Sequence, residues 1–264
     1  MSSGRATPIL FVLLATAALV SCGPPAPEDL TVEVVRQLPH DDEAFTQGLE
    51  FDGDDLFEST GLVGRSSLRD VHPETGEVVR IRPIPSPLFA EGLTIVGDEI
   101  LQLTYRAGRL LRWDKATFEP TGEARYEGEG WGLCFDGQAL WMSDGSSTLT
   151  RRDPATFEVI SRLEVKRGGE PVTQLNELEC VEDVVYANVW QTDQIVVIDG
   201  ESGRVTATID ASTLWDHMSG VIDPGAVLNG IAYDPTRDLF LVTGKLWPSA
   251  FEVRFVPVQD VSGR

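Results

Sequence analysis

The chain has 264 residues, with 42 acidic against 21 basic side chains, a formal net charge of −21 and a pI near 4.4. A surface of that sign repels phosphate backbones, which excludes nucleic acid as a partner. The length is enough for one large hydrophobic core or two small ones.

Residues 1–21 read as a targeting segment. Arg5 is its only charge, and the apolar run over 8–20 is too short and wrongly flanked for a stable membrane span. The run ends in Leu19-Val20-Ser21-Cys22, which resembles the bacterial lipobox, where a small residue precedes a cysteine that is diacylated after cleavage. The expectation is a lipoprotein signal removed before Cys22, with Cys22 as the lipidation site. The alternative is an ordinary secretory signal with an incidental cysteine. The leader carries Arg5 and no acid, so the mature charge becomes −22. Residues 22–30 then form a proline-rich tether, holding a domain on the bacterial cell-envelope membrane with its bulk facing the periplasm.

Residues 31–258 are expected to form a single all-β domain, and residues 259–264 a short tail. A strand over 31–38 stands alone. After it, one pattern recurs five times: Gln47-Gly48-Leu49-Glu50-Phe51, Glu91-Gly92-Leu93-Thr94-Ile95, Trp131-Gly132-Leu133-Cys134-Phe135, Asn176-Glu177-Leu178-Glu179-Cys180 and Asn229-Gly230-Ile231-Ala232-Tyr233. Each copy opens a strand, and Asp/Gly turns lead to second strands over 56–59, 100–104, 139–143, 184–188 and 239–243. Third strands end in signatures such as Arg152-Asp153-Pro154, and fourth strands follow, for example over 158–163 and 205–209. Residues 211–218 suit one short helical turn. A repeat of roughly 40–50 residues built from strands predicts a five-bladed β-propeller. The last unit is short, so strand 31–38 is expected to supply its outer strand and close the ring, removing an exposed edge. A closed ring makes a monomer sufficient.

The first residues of the copies, Gln47, Glu91, Trp131, Asn176 and Asn229, then form a ring at one end of a central channel. Antiparallel second strands end at that same face, bringing Tyr105, Trp190 and Lys245 toward it. Phe45 and Phe89 each precede a ring position by two residues. One carboxylate, one ammonium, several amides and aromatic walls is the usual form of a small-ligand pocket. Glu91 between apolar walls is suited to general acid/base work, because burial would raise its pKa. Asp144, in Ser143-Asp144-Gly145-Ser146, is better placed to cap its own turn.

In the repeat frame Cys134 aligns with Glu179 and Cys180 with Phe135. Side chains alternate faces along a strand, so the two thiols are expected to point opposite ways and remain free. No CxxC or Cys/His zinc spacing exists, and His40, His72 and His217 are scattered. No catalytic metal and no cofactor are expected. The plentiful acidic loops leave room for a structural calcium.

At these same residues the chain resembles the glutamine cyclotransferase family of plants and bacteria. The similarity runs through Ala44-Phe45-Thr46-Gln47-Gly48-Leu49, Phe89-Ala90-Glu91-Gly92-Leu93-Thr94, Glu129-Gly130-Trp131-Gly132-Leu133, Leu175-Asn176-Glu177-Leu178-Glu179, Asn188-Val189-Trp190-Gln191-Thr192-Asp193 and Thr243-Gly244-Lys245-Leu246-Trp247-Pro248. It covers about residues 40–256. The resemblance implies a five-bladed propeller that converts N-terminal glutamine of peptides or proteins to pyroglutamate, releasing ammonia. It implies Glu91 as the catalytic residue and Phe45, Gln47, Phe89, Trp131, Asn176, Trp190 and Lys245 as the substrate pocket. Tyr105 departs from the tryptophan expected there and bears on pocket shape. Two other readings compete: a non-catalytic envelope propeller binding a peptide or sugar in the same pocket, and a calcium-dependent propeller hydrolase. The latter would call for more than one acidic ring position.

Overall fold

Short apolar runs broken by Gly and Asp turns give this chain little besides strands, and a computed structural model, which describes residues 25–219 and 223–258, is all-β apart from one 3-10 turn, Ser212–His217. The expected leader, the Cys22 lipidation site and the tail over 259–264 lie outside the described residues.

Strand β1 (Glu28–Pro39) precedes three four-stranded antiparallel sheets. The first holds β2 (Thr46–Asp52), β3 (Asp55–Thr60), β4 (Ser67–Val71) and β5 (Val78–Pro83). The second holds β6 (Ala90–Val96), β7 (Glu99–Thr104), β8 (Arg109–Asp114) and β9 (Pro120–Arg125). The third holds β10 (Leu133–Phe135), β11 (Leu140–Met142), β12 (Thr148–Arg152) and β13 (Val159–Glu164). A small hairpin follows, β14 (Lys166–Arg167) and β15 (Glu170–Pro171), which the sequence pattern did not signal.

The remaining strands are β16 (Leu175–Val181), β17 (Val184–Val189), β18 (Gln194–Asp199), β19 (Val205–Asp210), β20 (Val227–Asp234), β21 (Leu239–Lys245) and β22 (Ser249–Pro257). They join β1 in one eight-stranded sheet of order β16-β17-β18-β19-β1-β22-β21-β20. This sheet is two four-stranded units sharing an edge. β1 is the outer strand of the last unit, antiparallel to β22 from Leu30↔Pro257 to Pro39↔Ser249. Its first residues also run parallel to β19, from Glu28↔Ala207 to Thr31↔Asp210. The chain's N-terminal strand thus ties together strands more than 170 residues away.

The first strand of each unit packs on the next: β2 on β6, β6 on β10, β10 on β16, β16 on β20, and β20 back on β2. Each junction carries its own hydrophobic cluster, for example Phe57, Leu68, Ile100 and Trp113 between the first two units and Ile195, Ile209, Val242 and Phe251 between the last two. Every sheet is therefore covered on both faces. That explains why β2 and β6 begin with continuous buried runs while the outer strands β5 and β9 are largely exposed.

Cys134 and Cys180 are joined in a disulfide, with their Cα atoms 5.4 Å apart, which corrects the expectation of two free thiols. The alternation itself was right: the residues do project from opposite faces of equivalent strands. But units arranged in a ring meet front to back, so the facing side chains of neighbours are those of opposite parity. Cys134 on β10 looks toward β16, and Cys180 on β16 looks back. The bridge spans 46 residues of sequence, so replacing both cysteines with alanine is expected to lower stability by about 4 kcal/mol from loop entropy. Denaturant unfolding of the double variant checks this; an unchanged midpoint would show that the ring's packing alone holds the two units together.

Candidate active site

The strands that open the units carry a shared irregularity. Pairing to the second strand slips between Thr46 and Gly48, between Ala90 and Leu93, between Leu175 and Leu178, and between Leu228 and Ile231. The residues passed over include Gln47, Glu91, Asn176 and Asn229. A bulge turns a side chain out of the sheet's alternation; Gln47, Glu91 and Asn176 line one cavity, while Asn229, a member of the expected ring, is fully buried and does not line it. In the third unit Trp131 lies just ahead of β10, with its N–H donating to Ser143 O at 3.0 Å. The glycine after a ring residue permits close approach: a Cβ on Gly92 would stand 2.7 Å from Leu133 N and Trp131 O of the next unit. Gly92 N donates to that same carbonyl at 2.7 Å.

One cavity of about 180 Å³ is lined by Phe45, Gln47, Phe89, Glu91, Tyr105, Trp131, Asn176, Trp190 and Lys245. All nine are residues singled out from the sequence. The space equals about six waters at roughly 30 Å³ each, the scale of one residue rather than a peptide. Its wall is an arc of aromatic rings. Phe45 meets Phe89 edge-on at 6.1 Å, Phe89 meets Tyr105 at 5.8 Å, Tyr105 meets Trp131 at 6.5 Å, and Trp131 meets Trp190 edge-on at 5.4 Å. Lys245 Nζ lies 5.0 Å from the Phe45 ring centroid, within cation–π range.

The polar lining is deeply buried: Gln47 is 3 % exposed, Glu91 4 %, Asn176 2 % and Lys245 4 %. Burial pushes the Glu91 carboxyl well above its ordinary range; the Lys245 ammonium pulls it back and the Glu129 carboxylate pushes it further up. Burial lowers Lys245 to about 8, against the opposing pull of Glu91 and Glu177. No described residue forms a side-chain hydrogen bond or close ion pair with Glu91, while Ser59 Oγ donates to its backbone carbonyl. Asn176 Oδ1 is buried without a partner among the described residues, leaving an acceptor at the cavity. Asn229 Nδ2 donates to Thr46 O at 2.9 Å and lies 3.5 Å from Gln47 Oε1, which leaves the Gln47 amide nitrogen for the cavity.

Two residues around the cavity, Glu129 and Glu177, were missed, while Asp144 does what the sequence suggested. Glu129 accepts from Trp131 Nε1 at 3.0 Å and from Arg106 Nε at 2.7 Å, fixing the indole that forms one wall. It precedes its ring residue by two, the place held by Phe45 and Phe89 in earlier copies, so the repeat itself contained the signal. Glu177 replaces the pattern's glycine in the fourth copy. It accepts from Leu49 N at 3.3 Å and Ile231 N at 2.9 Å, reaching two other units. Asp144 caps its own turn, accepting from Ser146 N at 3.0 Å.

Fold and site together define an all-β protein whose opening strands deliver an acid and two amides, and a second strand an amine, into a one-residue aromatic pocket. A family model described as "Glutamine cyclotransferase" matches residues 8–255. A glutaminyl-peptide cyclotransferase of Arabidopsis thaliana is 40% identical over 238 residues, spanning 88% of this chain and 73% of the relative. The crystal structure of Myxococcus xanthus glutaminyl cyclase shares 40% identity and a TM-score of 0.83, over 88% of this chain and 100% of that one. The chain belongs to the glutamine cyclotransferase family.

Proposed function

We propose that the four-stranded units are the blades of a five-bladed β-propeller, and that this chain is a glutaminyl-peptide cyclotransferase with Glu91 as its proton carrier. One observation carries the reading: a buried carboxyl, with no side-chain hydrogen bond among the described residues, shares a one-residue aromatic pocket with a lysine and two amides. The substrate's N-terminal glutamine enters with its α-amine folded toward its own side-chain carbonyl. The aromatic arc selects that conformer, so proximity comes largely from the substrate itself.

The neutral α-amine nitrogen bonds to the side-chain carbonyl carbon, whose oxygen gains the negative charge. Lys245 and the Gln47 amide nitrogen stabilise that oxyanion, acting in a water-poor site where such donors are strongest. Glu91 takes a proton from the attacking nitrogen and gives one to the departing nitrogen. The carbon–nitrogen bond of the original amide breaks, and ammonia leaves with a pyroglutamyl ring behind it. Asn176 Oδ1 accepts from the amine and holds it in line. Burial raises the Glu91 pKa, which makes its carboxylate a stronger base toward the attacking nitrogen than an exposed carboxylate would be.

Ammonia release from a Gln-initiated dipeptide tests the reading, with Glu91→Gln and a chelator as controls. Activity that survives the chelator and vanishes with Glu91→Gln supports it; a folded wild-type domain without activity sinks it.

The pH profile provides a second check. The substrate amine must be neutral, so kcat/KM should rise through about 7.7–8.0. Lys245 titrates at about 8 and loses its charge above that, so the profile should turn down on the alkaline side. In Lys245→Arg the cation no longer titrates, and the alkaline limb should flatten. A limb that persists in that variant would remove Lys245 from the oxyanion role.

The domain limits follow the sequence reading: a leader over 1–21, a lipidated Cys22 with its tether, a catalytic domain over 31–258 and a tail. In this reading the lipid holds a monomeric enzyme at the bacterial cell envelope, facing the periplasm.

A further inference from the structure

A bound peptide cannot be contained in a one-residue cavity, so whatever follows the glutamine must cross the rim. The Tyr105–Trp131 side of that rim is built as a unit. Gly130 N donates to Tyr105 O at 3.0 Å, tying the two segments together. The Arg106 guanidinium carbon lies 4.6 Å from the Tyr105 ring centroid, stacking on the outer side of a cavity wall. Glu129 spends one carboxylate oxygen on Trp131 Nε1 and the other on Arg106 Nε.

This arrangement fixes the guanidinium by its Nε edge and by its face, and engages neither Nη group. Both Nη atoms lack a hydrogen-bond partner among the described residues, and the side chain is 70% exposed. The guanidinium is planar, and its remaining Nη1/Nη2 edge still offers two parallel N–H donors to a carboxylate. A held, half-used guanidinium at a pocket mouth stands out in a chain of net charge −21. Arg80 on β5 pairs with Asp70 and Arg109 on β8 with Glu123, and neither adjoins a residue that lines the cavity in sequence as Arg106 adjoins Tyr105.

We propose that Arg106 is a specificity-determining residue, binding a carboxylate on the residue that follows the N-terminal glutamine, with Glu129 as the positioning residue that holds it. This rests on the cyclotransferase reading. Arg106 does not enter the chemistry; it selects among peptides sharing the same first residue.

The test uses Gln-Glu-Ala-amide, Gln-Ala-Ala-amide and Gln-Lys-Ala-amide, amidated so that the second side chain is the only variable charge. The readout is the ratio of kcat/KM for the Glu peptide over the Lys peptide, in wild type, Arg106→Ala and Arg106→Glu. An exposed charge pair is worth about 0.2–1 kcal/mol, so each step should lower the ratio about 1.4-fold to fivefold. The change should shrink as salt is raised. Arg254→Glu, an equal charge change on strand β22, should leave the ratio unmoved. A ratio unaltered in both Arg106 variants overturns the proposal, and so does an equal fall with Arg254→Glu, which would mark a field of the whole protein. Failure of the wild type on Gln-Ala-Ala-amide would instead overturn the cyclotransferase reading itself, and the proposal with it.

Discussion

Replacing Glu91 with glutamine should lower kcat by about 10²–10⁴-fold while KM stays nearly constant. The two side chains have the same shape, and the burial that raises the Glu91 pKa means the pocket already favours a neutral group at this position. The variant should therefore bind the peptide, keep the aromatic arc in place and unfold no earlier than the wild type. A carboxamide cannot take the amine proton, and it cannot pass one to the departing nitrogen. The loss belongs to the transition state alone, which is the kinetic signature of kcat and kcat/KM falling together. Steady-state kinetics beside a thermal melt separate the outcomes. A rise in KM with kcat intact would recast Glu91 as a binding group for the substrate ammonium. A collapse in melting temperature would recast it as a structural partner of Lys245.

The sequence made the site more legible than the covalent framework. Gln47, Glu91, Trp131 and Asn176 are readable because the repeat places them in register, and the antiparallel path returns Tyr105, Trp190 and Lys245 to the same end. Glu129 was hidden behind the aromatic identity of Phe45 and Phe89: its position was visible, but a carboxylate among phenylalanines did not read as part of the wall. The disulfide was misread for a different reason. Alternation along a strand is a local rule and it held; which faces meet is decided by how neighbouring units pack, and that lies beyond any single strand's pattern. The hairpin β14–β15 follows no repeat and offers only Lys166-Arg167-Gly168-Gly169 as a turn signal. Closure by the first strand was legible because the last unit lacked an outer strand; its parallel contact with β19 was not, since no residue of 28–31 advertises a second partner.

Glu177 shows what a repeat conceals when one copy breaks it. By alignment with the other copies, glycine is the natural residue at 177, and Glu177→Gly would restore the pattern. The expected result is nonetheless a loss of about 2–5 kcal/mol in unfolding free energy, from two buried N–H donors left without acceptors and a cavity where the side chain lay. Those donors are Leu49 N on β2 and Ile231 N on β20, so the carboxyl of one strand serves two others across the ring. Burial raises the Glu177 pKa well above an ordinary carboxyl, with the two backbone donors opposing and nearby Glu50 adding to the rise. A raised folded-state pKa contributes stability that is present below the unfolded value and fades as pH climbs through the folded one. The deficit of Glu177→Gly should therefore be largest at mildly acid pH and narrow toward the alkaline side. Glu177→Gln should fall between the two, because its oxygen can keep one donor while its NH₂ confronts the other. Denaturant melts of the three proteins across pH decide the matter. A Glu177→Gly chain as stable as wild type would mean that the glycine pattern alone suffices to close the ring.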